Sequence, residues 1–193
     1  MLVPRPETEL VVERCLALLG TQPAEVADLG TGSGAIALAL AWERSSWRVT
    51  ATDRSTAALD VATVNAHALG IINVQFLASD WFGALAGQRF DLIASNPPYI
   101  AAADPALLDP ALRHEPLAAL ASGATGLEDL GALIAGAPAH LLGGGWLVLE
   151  HDAGQAPVLA DLLVAQGFRH VRCHADLAGC ARVTEAQRPP PGI

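Results

Sequence analysis

Four consecutive residues, Asn96-Pro97-Pro98-Tyr99, carry the most specific chemistry in this sequence. Two prolines fix φ at successive positions and remove two N–H donors, so the segment presents carbonyl oxygens without competing donors. Asn96 adds a side chain that both donates and accepts. Tyr99 adds a flat face. The set suits a planar group bearing an NH₂. An amide or aromatic amino nitrogen delocalises its lone pair and is a weak nucleophile. Acceptors on both N–H bonds hold such a nitrogen in place and stabilise the positive charge that develops during alkyl transfer. No strong base is needed before attack, and positioning alone can supply roughly 7–11 kcal/mol of the barrier. The bland alternative is a proline-rich turn without chemistry.

A second constellation lies upstream. Asp28-Leu29-Gly30-Thr31-Gly32-Ser33-Gly34-Ala35 follows an apolar strand and opens a helix. Glycines let the backbone approach a ligand closely, and a helix N-terminus offers free N–H groups. Asp53 lies 23 residues after Gly30, where a carboxylate can accept both hydroxyls of a ribose. The loop also satisfies the dinucleotide fingerprint, with Ala35 in the third glycine slot. Alone it does not choose between nicotinamide cofactors and S-adenosylmethionine. Alternating glycines with an acid two residues before the first favour the latter. Asp80 and Trp81, followed by Phe82, could clamp an adenine, with an acceptor for its amino group and an aromatic for its face. Cofactor-binding candidates are therefore Gly30, Thr31, Gly32, Ser33, Gly34, Asp53, Asp80 and Trp81. The catalytic and substrate-binding candidates are Asn96, Pro97, Pro98 and Tyr99.

These groups need a frame. Apolar strands are expected at residues 25–29, 47–52, 74–77, 90–94, 146–149, 168–173 and 182–184. Helices are expected at 7–19, 35–42, 56–69, 127–142 and 156–166. Pro6 opens the first helix, Ser55 caps the third, and Gly70 closes it. Pro138 should kink or split the fourth. Strands alternating with helices indicate a mostly parallel seven-stranded sheet with helices on both faces, an α/β fold. Such sheets bind ligands at the C-terminal ends of their strands. The candidate residues all follow predicted strands. Residues 101–125 read as a long functional loop with short helices.

The whole-chain properties fit. At 193 residues, one domain is expected, with residues 1–186 forming it and 187–193 a disordered tail. Lys plus Arg number 11 and Asp plus Glu 20, giving a net charge of −9, which counts against direct nucleic-acid binding. Three cysteines, Cys15, Cys173 and Cys180, argue for a reducing compartment, hence the cytoplasm. The longest apolar stretch, 132–149, is broken by Pro138, His140 and Gly143, so no membrane partner is expected. His170, Cys173, His174 and Cys180 match no zinc spacing, and no metal is expected. His151 reads as a packed or solvated histidine.

The sequence resembles the class I, Rossmann-like methyltransferases that modify nitrogen, and more narrowly the release-factor glutamine methyltransferase family, called HemK or PrmC. The resemblance rests on VPRPETELVVE (3–13), VADLGTGSGAIALALA (26–41), SDWFGAL (79–85), FDLIASNPPYI (90–100), HEPLAAL (114–120) and GGGWLVLEH (143–151). It implies methyl transfer from S-adenosylmethionine, leaving S-adenosylhomocysteine, to a glutamine side-chain amide in a protein. That protein would be a peptide-chain release factor at its Gly-Gly-Gln loop. It implies that residues 30–34, Asp53, Trp81 and Asn96 contact the cofactor and that residues 96–99 hold the amide. Arg5, Thr8 and Glu9 would line the cofactor side, and Arg113, His114 and Glu115 the substrate side. Other readings are glutamine methylation of a ribosomal protein, N-methylation of a base, and a non-catalytic cofactor-binding module. Family members usually carry an N-terminal helical domain before PRPETE, so the resemblance makes this chain a catalytic domain without it. The tail after Thr184 also departs from the family pattern.

Overall fold

A computed structural model describes residues 6–110, 112–113 and 115–190. The chain alternates helix and strand: α1 (Pro6–Leu19), β1 (Glu25–Leu29), α2 (Ala35–Glu43), β2 (Arg48–Asp53), α3 (Thr56–Leu69), β3 (Val74–Ala78), β4 (Phe90–Ser95), α4 (Glu128–His140), β5 (Leu141–Glu150), α5 (Ala156–Ala165), β6 (Arg169–Ala175) and β7 (Ala181–Gln187). The local signals act as expected at α3. The Ser55 hydroxyl accepts from the Ala58 N–H, and Gly70 closes the helix in the left-handed region at φ 68°.

The seven strands form one sheet in the order β3-β2-β1-β4-β5-β7-β6. β1 to β5 are parallel, whereas β7 lies antiparallel between β5 and β6. Side chains alternate between the faces, as a period of two demands. Val26, Leu92, Ala94 and Val148 face one core with Val11, Cys15 and Leu40 of α1 and α2. Ala27, Ile93, Leu147 and Leu149 face the other with Leu130, Leu133 and Leu163 of α4 and α5. Burying each such leucine contributes about 1.5–3 kcal/mol.

Three expectations shift. α4 is not split: Pro138 sits in its last turn, where the missing N–H removes one bond near an end. β5 begins at Leu141 rather than at residue 146. Gly143, Gly144 and Gly145 do not form a turn; they lie within the strand, opposite a register shift in β4 between Phe90 and Leu92. Gln187, the first residue of the expected tail, completes β7, and residues 191–193 lie outside the described residues. Beyond β7, the Arg188 N–H donates to the Gly145 carbonyl and its carbonyl accepts from Gly144.

Strand order reverses between β1 and β4. Crevices at such a point, outside the carboxyl ends of the strands, are where open α/β sheets bind ligands. Leu29 is in register with Ser95 and Thr52, so the residues that follow β1, β4 and β2 open into one space.

Candidate functional site

That space is a cavity of about 540 Å³. Gly30, Thr31, Gly32, Ser33, Asp53, Asp80, Trp81, Asn96 and Pro98 line it, which brings most of the expected residues together. Gly34, Pro97 and Tyr99 do not line it.

The glycine loop is wired from below. The N–H groups of Gly30 and Thr31 both donate to the Thr52 carbonyl at 2.8 Å, which ties the loop to β2. Asp28 is fully buried and serves the scaffold. Its Oδ2 accepts from the Thr31 hydroxyl at 2.6 Å and from the Ala37 N–H at 3.0 Å, joining the loop to the first turn of α2. Desolvation pushes its carboxyl up to about 6, although those two bonds pull the other way. Gly30 has φ 74°, and a Cβ there would meet the Trp81 ring at 3.2 Å. The indole thus packs directly on the loop. Trp81 itself adopts φ 44°, a conformation rare for a bulky residue. Ser79 holds that turn, its hydroxyl donating to the Trp81 carbonyl and accepting from the Ala84 N–H, both at 2.9 Å.

Gly34 sits one residue beyond the part of the loop that lines the cavity. It caps α2 at φ 88°, and a Cβ there would approach Leu38 Cδ1 to 2.9 Å and Ala62 Cβ to 3.3 Å. It is a packing glycine behind the loop, where α2 and α3 meet.

Asp53 ends β2 at the cavity. Its Oδ2 accepts from the Gly32 N–H at 2.9 Å and its Oδ1 from the Ser55 N–H at 2.8 Å. A carboxylate oxygen offers two acceptor sites, so one remains on each oxygen. Two hydroxyls on neighbouring carbons can use that pair.

Asn96 follows β4 at the opposite wall. Its Nδ2 donates to the Thr8 hydroxyl at 3.2 Å, and that hydroxyl donates to Glu150 Oε2 at 2.9 Å. Glu150 ends β5 and is almost fully buried. Burial pushes its carboxyl up to about 7, reinforced by Glu7, while the Thr8 and Asn96 hydrogen bonds and Arg182 pull it down. Pro97 is buried. The Tyr99 ring packs against the α4–α5 core, and burial pushes its phenol up to about 12, so it stays protonated. Its carbonyl accepts from Gln155 Nε2 at 2.9 Å, and the same nitrogen reaches the Gly126 carbonyl at 3.1 Å.

Part of the long loop roofs the cavity. Pro116, Ala118 and Ala119 line it, and Arg54 Nη2 donates to the Ala118 carbonyl at 2.7 Å. Residues Pro105–Leu108 and Leu117–Ala119 form the expected short helices, of 3-10 type. The base of the loop is tied by an Ile100–Ala121 bridge. Arg113 and Glu115 do not line the cavity; Arg5 and His114 lie outside the described residues. Thr8 does line it, whereas Glu9 is exposed and faces a separate groove between α1, α2 and α3. His151 is packed: its Nε2 lies 2.8 Å from the Thr184 hydroxyl and its Nδ1 2.8 Å from the Asp152 carbonyl. Cys173 Sγ comes within 4.0 Å of His151, and His174 instead faces Glu185 at 3.1 Å. Among the described residues, no three His, Cys, Asp or Glu side chains gather as a metal set, and no helix is long and apolar enough to cross a membrane.

Sequence reasoning missed Gln155 and Glu150. A weak signal existed for each: both follow β5 or end it, where polar residues face the cavity side of the sheet. The Asp152/Gln155 capping box is also readable as a helix start.

Comparison with known proteins places the chain. The methyltransferase small domain family model matches residues 8–123. The chain is 53% identical over 189 residues to the release factor glutamine methyltransferase of Xylella fastidiosa (strain Temecula1), covering 97% of this chain and 69% of that protein. The chain belongs to the release factor glutamine methyltransferase family. The Escherichia coli (strain K12) release factor glutamine methyltransferase is 45% identical over 183 residues, covering 95% of this chain and 66% of that one. The crystal structure of a release-factor-specific protein-(glutamine-N5) methyltransferase from Alicyclobacillus acidocaldarius superposes with a TM-score of 0.61 at 30% identity. It covers 97% of this chain and 95% of that one. The seven-stranded sheet of this family member is therefore the class I, Rossmann-like methyltransferase fold, and the chain is an enzyme of that class.

Proposed function

We propose that the chain transfers a methyl group from S-adenosylmethionine to the side-chain amide nitrogen of a glutamine in a peptide-chain release factor. The observation that carries this reading is the opposition, across one cavity, of the Gly30–Ser33 loop and Asp53 with Asn96 and Pro98. The residues fit the cofactor on their own chemistry. Asp53 keeps two acceptor sites for ribose hydroxyls, Trp81 offers a face for an adenine, and the loop and α2 N–H groups favour the carboxylate end. Asp80 at the rim can accept from the adenine amino group. When bound, S-adenosylmethionine supplies an electrophilic methyl on sulfur and leaves as S-adenosylhomocysteine.

The remaining work belongs to the protein. Asn96 Oδ1 and a backbone carbonyl of the Asn96–Pro98 segment accept the two amide N–H bonds of the glutamine and hold its nitrogen toward the methyl donor. The same dipoles stabilise the positive charge that grows on nitrogen as the new bond forms. The nitrogen gives up one proton to water at the open side of the cavity, which completes the exchange. The roof over the cavity limits competing water. The protein partner is met by the open side of this wall, and the acidic chain, with a net charge of −9, suits a protein rather than a nucleic acid.

Incubation with a release factor and isotopically labelled S-adenosylmethionine tests the reading. Peptide mass spectrometry should find one labelled methyl on the glutamine of the Gly-Gly-Gln loop. Label on a ribosomal-protein glutamine or a nucleic-acid base, with none on the factor, overturns the substrate. Calorimetric binding of NAD and not of S-adenosylmethionine overturns the cofactor.

A further inference from the structure

The oxygen and nitrogen of an asparagine amide have nearly the same shape, so packing alone does not set which one faces a ligand. At Asn96 the choice matters. An oxygen facing the cavity accepts from a glutamine NH₂; a nitrogen facing it opposes donor with donor. We propose that Thr8 and Glu150 are positioning residues that set the orientation of the Asn96 amide through a directional hydrogen-bond relay. The proposal rests on the glutamine reading above.

The relay joins three elements far apart in sequence. Thr8 on α1 lies 142 residues from Glu150 and 88 from Asn96. A threonine hydroxyl has one proton. At 2.9 Å from Glu150 Oε2, that proton is engaged by a carboxylate that can only accept. Thr8 Oγ1 can then offer Asn96 nothing but a lone pair, and Asn96 also hydrogen-bonds Glu150 itself, so Nδ2 turns toward this pair, 3.2 Å from Thr8 Oγ1, and Oδ1 turns away. Thr8 is 7% and Glu150 1% exposed, which leaves little room for water to replace the bond between them.

The direction reverses if Glu150 takes a proton. It then donates to Thr8, Thr8 donates to Asn96, and the amide presents its NH₂ to the cavity. The charged and titratable groups facing Glu150 are Glu7 on α1, Arg182 on β7 and Tyr99 after β4. Burial and Glu7 bring the Glu150 carboxyl to about 7, so both directions are within reach of ordinary buffers. A purely structural Thr8–Glu150 contact would not couple the Asn96 amide to protonation.

The sequence holds three asparagines, Asn65, Asn73 and Asn96, so labelling with ¹⁵N-asparagine gives three side-chain NH₂ pairs. Asn65 donates to the Ser33 carbonyl of the loop and Asn73 to the carbonyls of Ala41 in α2 and of Trp47 before β2, so both serve as internal controls. In the parent, the Asn96 pair should shift with the Glu150 titration, and in Glu150→Gln it should not. Thr8→Val should speed hydrogen exchange of the Asn96 pair about tenfold, with Thr8→Ser restoring most of the protection. Methyl transfer to the release factor should fall about tenfold in kcat for Thr8→Val, with little change in cofactor affinity. An Asn96 pair insensitive to pH, or equally protected in Thr8→Val, overturns the relay. The pH titration of the parent decides alone if the valine variant does not fold. If the parent leaves the release factor unmethylated while the Asn96 pair responds as described, the substrate reading fails and the relay stands.

Discussion

Gln155 offers the sharpest test of how the Asn-Pro-Pro-Tyr segment is held. Its side chain joins three backbones: Nε2 donates to the Tyr99 and Gly126 carbonyls at 2.9 and 3.1 Å, and Oε1 accepts from the Asp152 N–H at 3.0 Å. Gln155→Met keeps the length and removes the polar head. A typical intramolecular hydrogen bond contributes about 0.5–1.5 kcal/mol net. The Asp152 bond is exposed and water replaces it. The two part-buried carbonyls therefore set the loss at roughly 1–3 kcal/mol. For a domain of this size, each kcal/mol moves the midpoint by about 2–4 °C. A central loss of about 2 kcal/mol thus lowers Tm by roughly 4–8 °C in a circular-dichroism melt. Gln155 does not line the cavity, so the Kd for S-adenosylmethionine should stay at the parent value while kcat for methyl transfer falls. A parent-like melt together with a parent-like kcat refutes the reasoning, since the bonds would then neither stabilise the segment nor aim it.

Other outcomes follow from the same geometry. Asp53→Ala removes the two free acceptor sites and the Gly32 anchor; calorimetry should show cofactor binding weakened by about 1.5–3 kcal/mol, the worth of a hydrogen bond to a charged group. Gly34→Ala forces a left-handed residue and a Cβ against Leu38, so urea unfolding should show a loss of about 1–3 kcal/mol; full stability would mean that α2 and α3 shift freely. Asp28 and Glu150 both have raised carboxyl pKa values in the folded chain, to about 6 and about 7. The fold therefore holds these protons more tightly than the unfolded chain does. Stability from this source is fully present below the unfolded values, falls as pH rises between the unfolded and the folded values, and is gone above the folded ones. Asp28→Asn should thus gain on the parent as pH is raised from the acid side through neutrality, measured by urea midpoints; a constant difference would show that Asp28 does not titrate in this range.

Elements with their own end signals were legible from sequence. α3 runs over the expected 56–69 because Ser55 and Gly70 punctuate it, and β1 over 25–29 because an apolar run stops at a glycine. The cofactor-side candidates were legible for a related reason: in a parallel sheet, polar residues just after strands share one edge. β5 was read short because three consecutive glycines look like a turn. In the sheet they lie beside a register shift, where the Gly145 position leaves a Cβ only about 3.0 Å from the Asp91 and Leu142 carbonyls. The roles of Gly34 and of the Asn96–Thr8–Glu150 chain were not legible. Each depends on which side chains tertiary packing places within 3 or 4 Å, and local spacing holds no record of a partner 142 residues away.

The antiparallel strand β7 has a consequence for biosynthesis. It lies between β5 and β6, so among the described residues β6 has no hydrogen-bonded neighbour in the sheet except β7. It also carries Glu185, the buried carboxylate that meets both Arg14 of α1 and His174 of β6. A nascent chain emerging from the ribosome can assemble the parallel strands β1 to β5 in order, each beside one already made. It cannot seat β6 until residues 181–187 have cleared the exit tunnel. Until then Arg14 lacks its Glu185 ion pair and His174 its Glu185 contact, and β5 is an open edge strand of the kind that invites misassembly. Completion of the sheet thus waits on residues 181–187, and a ribosome stalled shortly before residue 181 holds a chain with its cofactor wall built and its sheet unfinished.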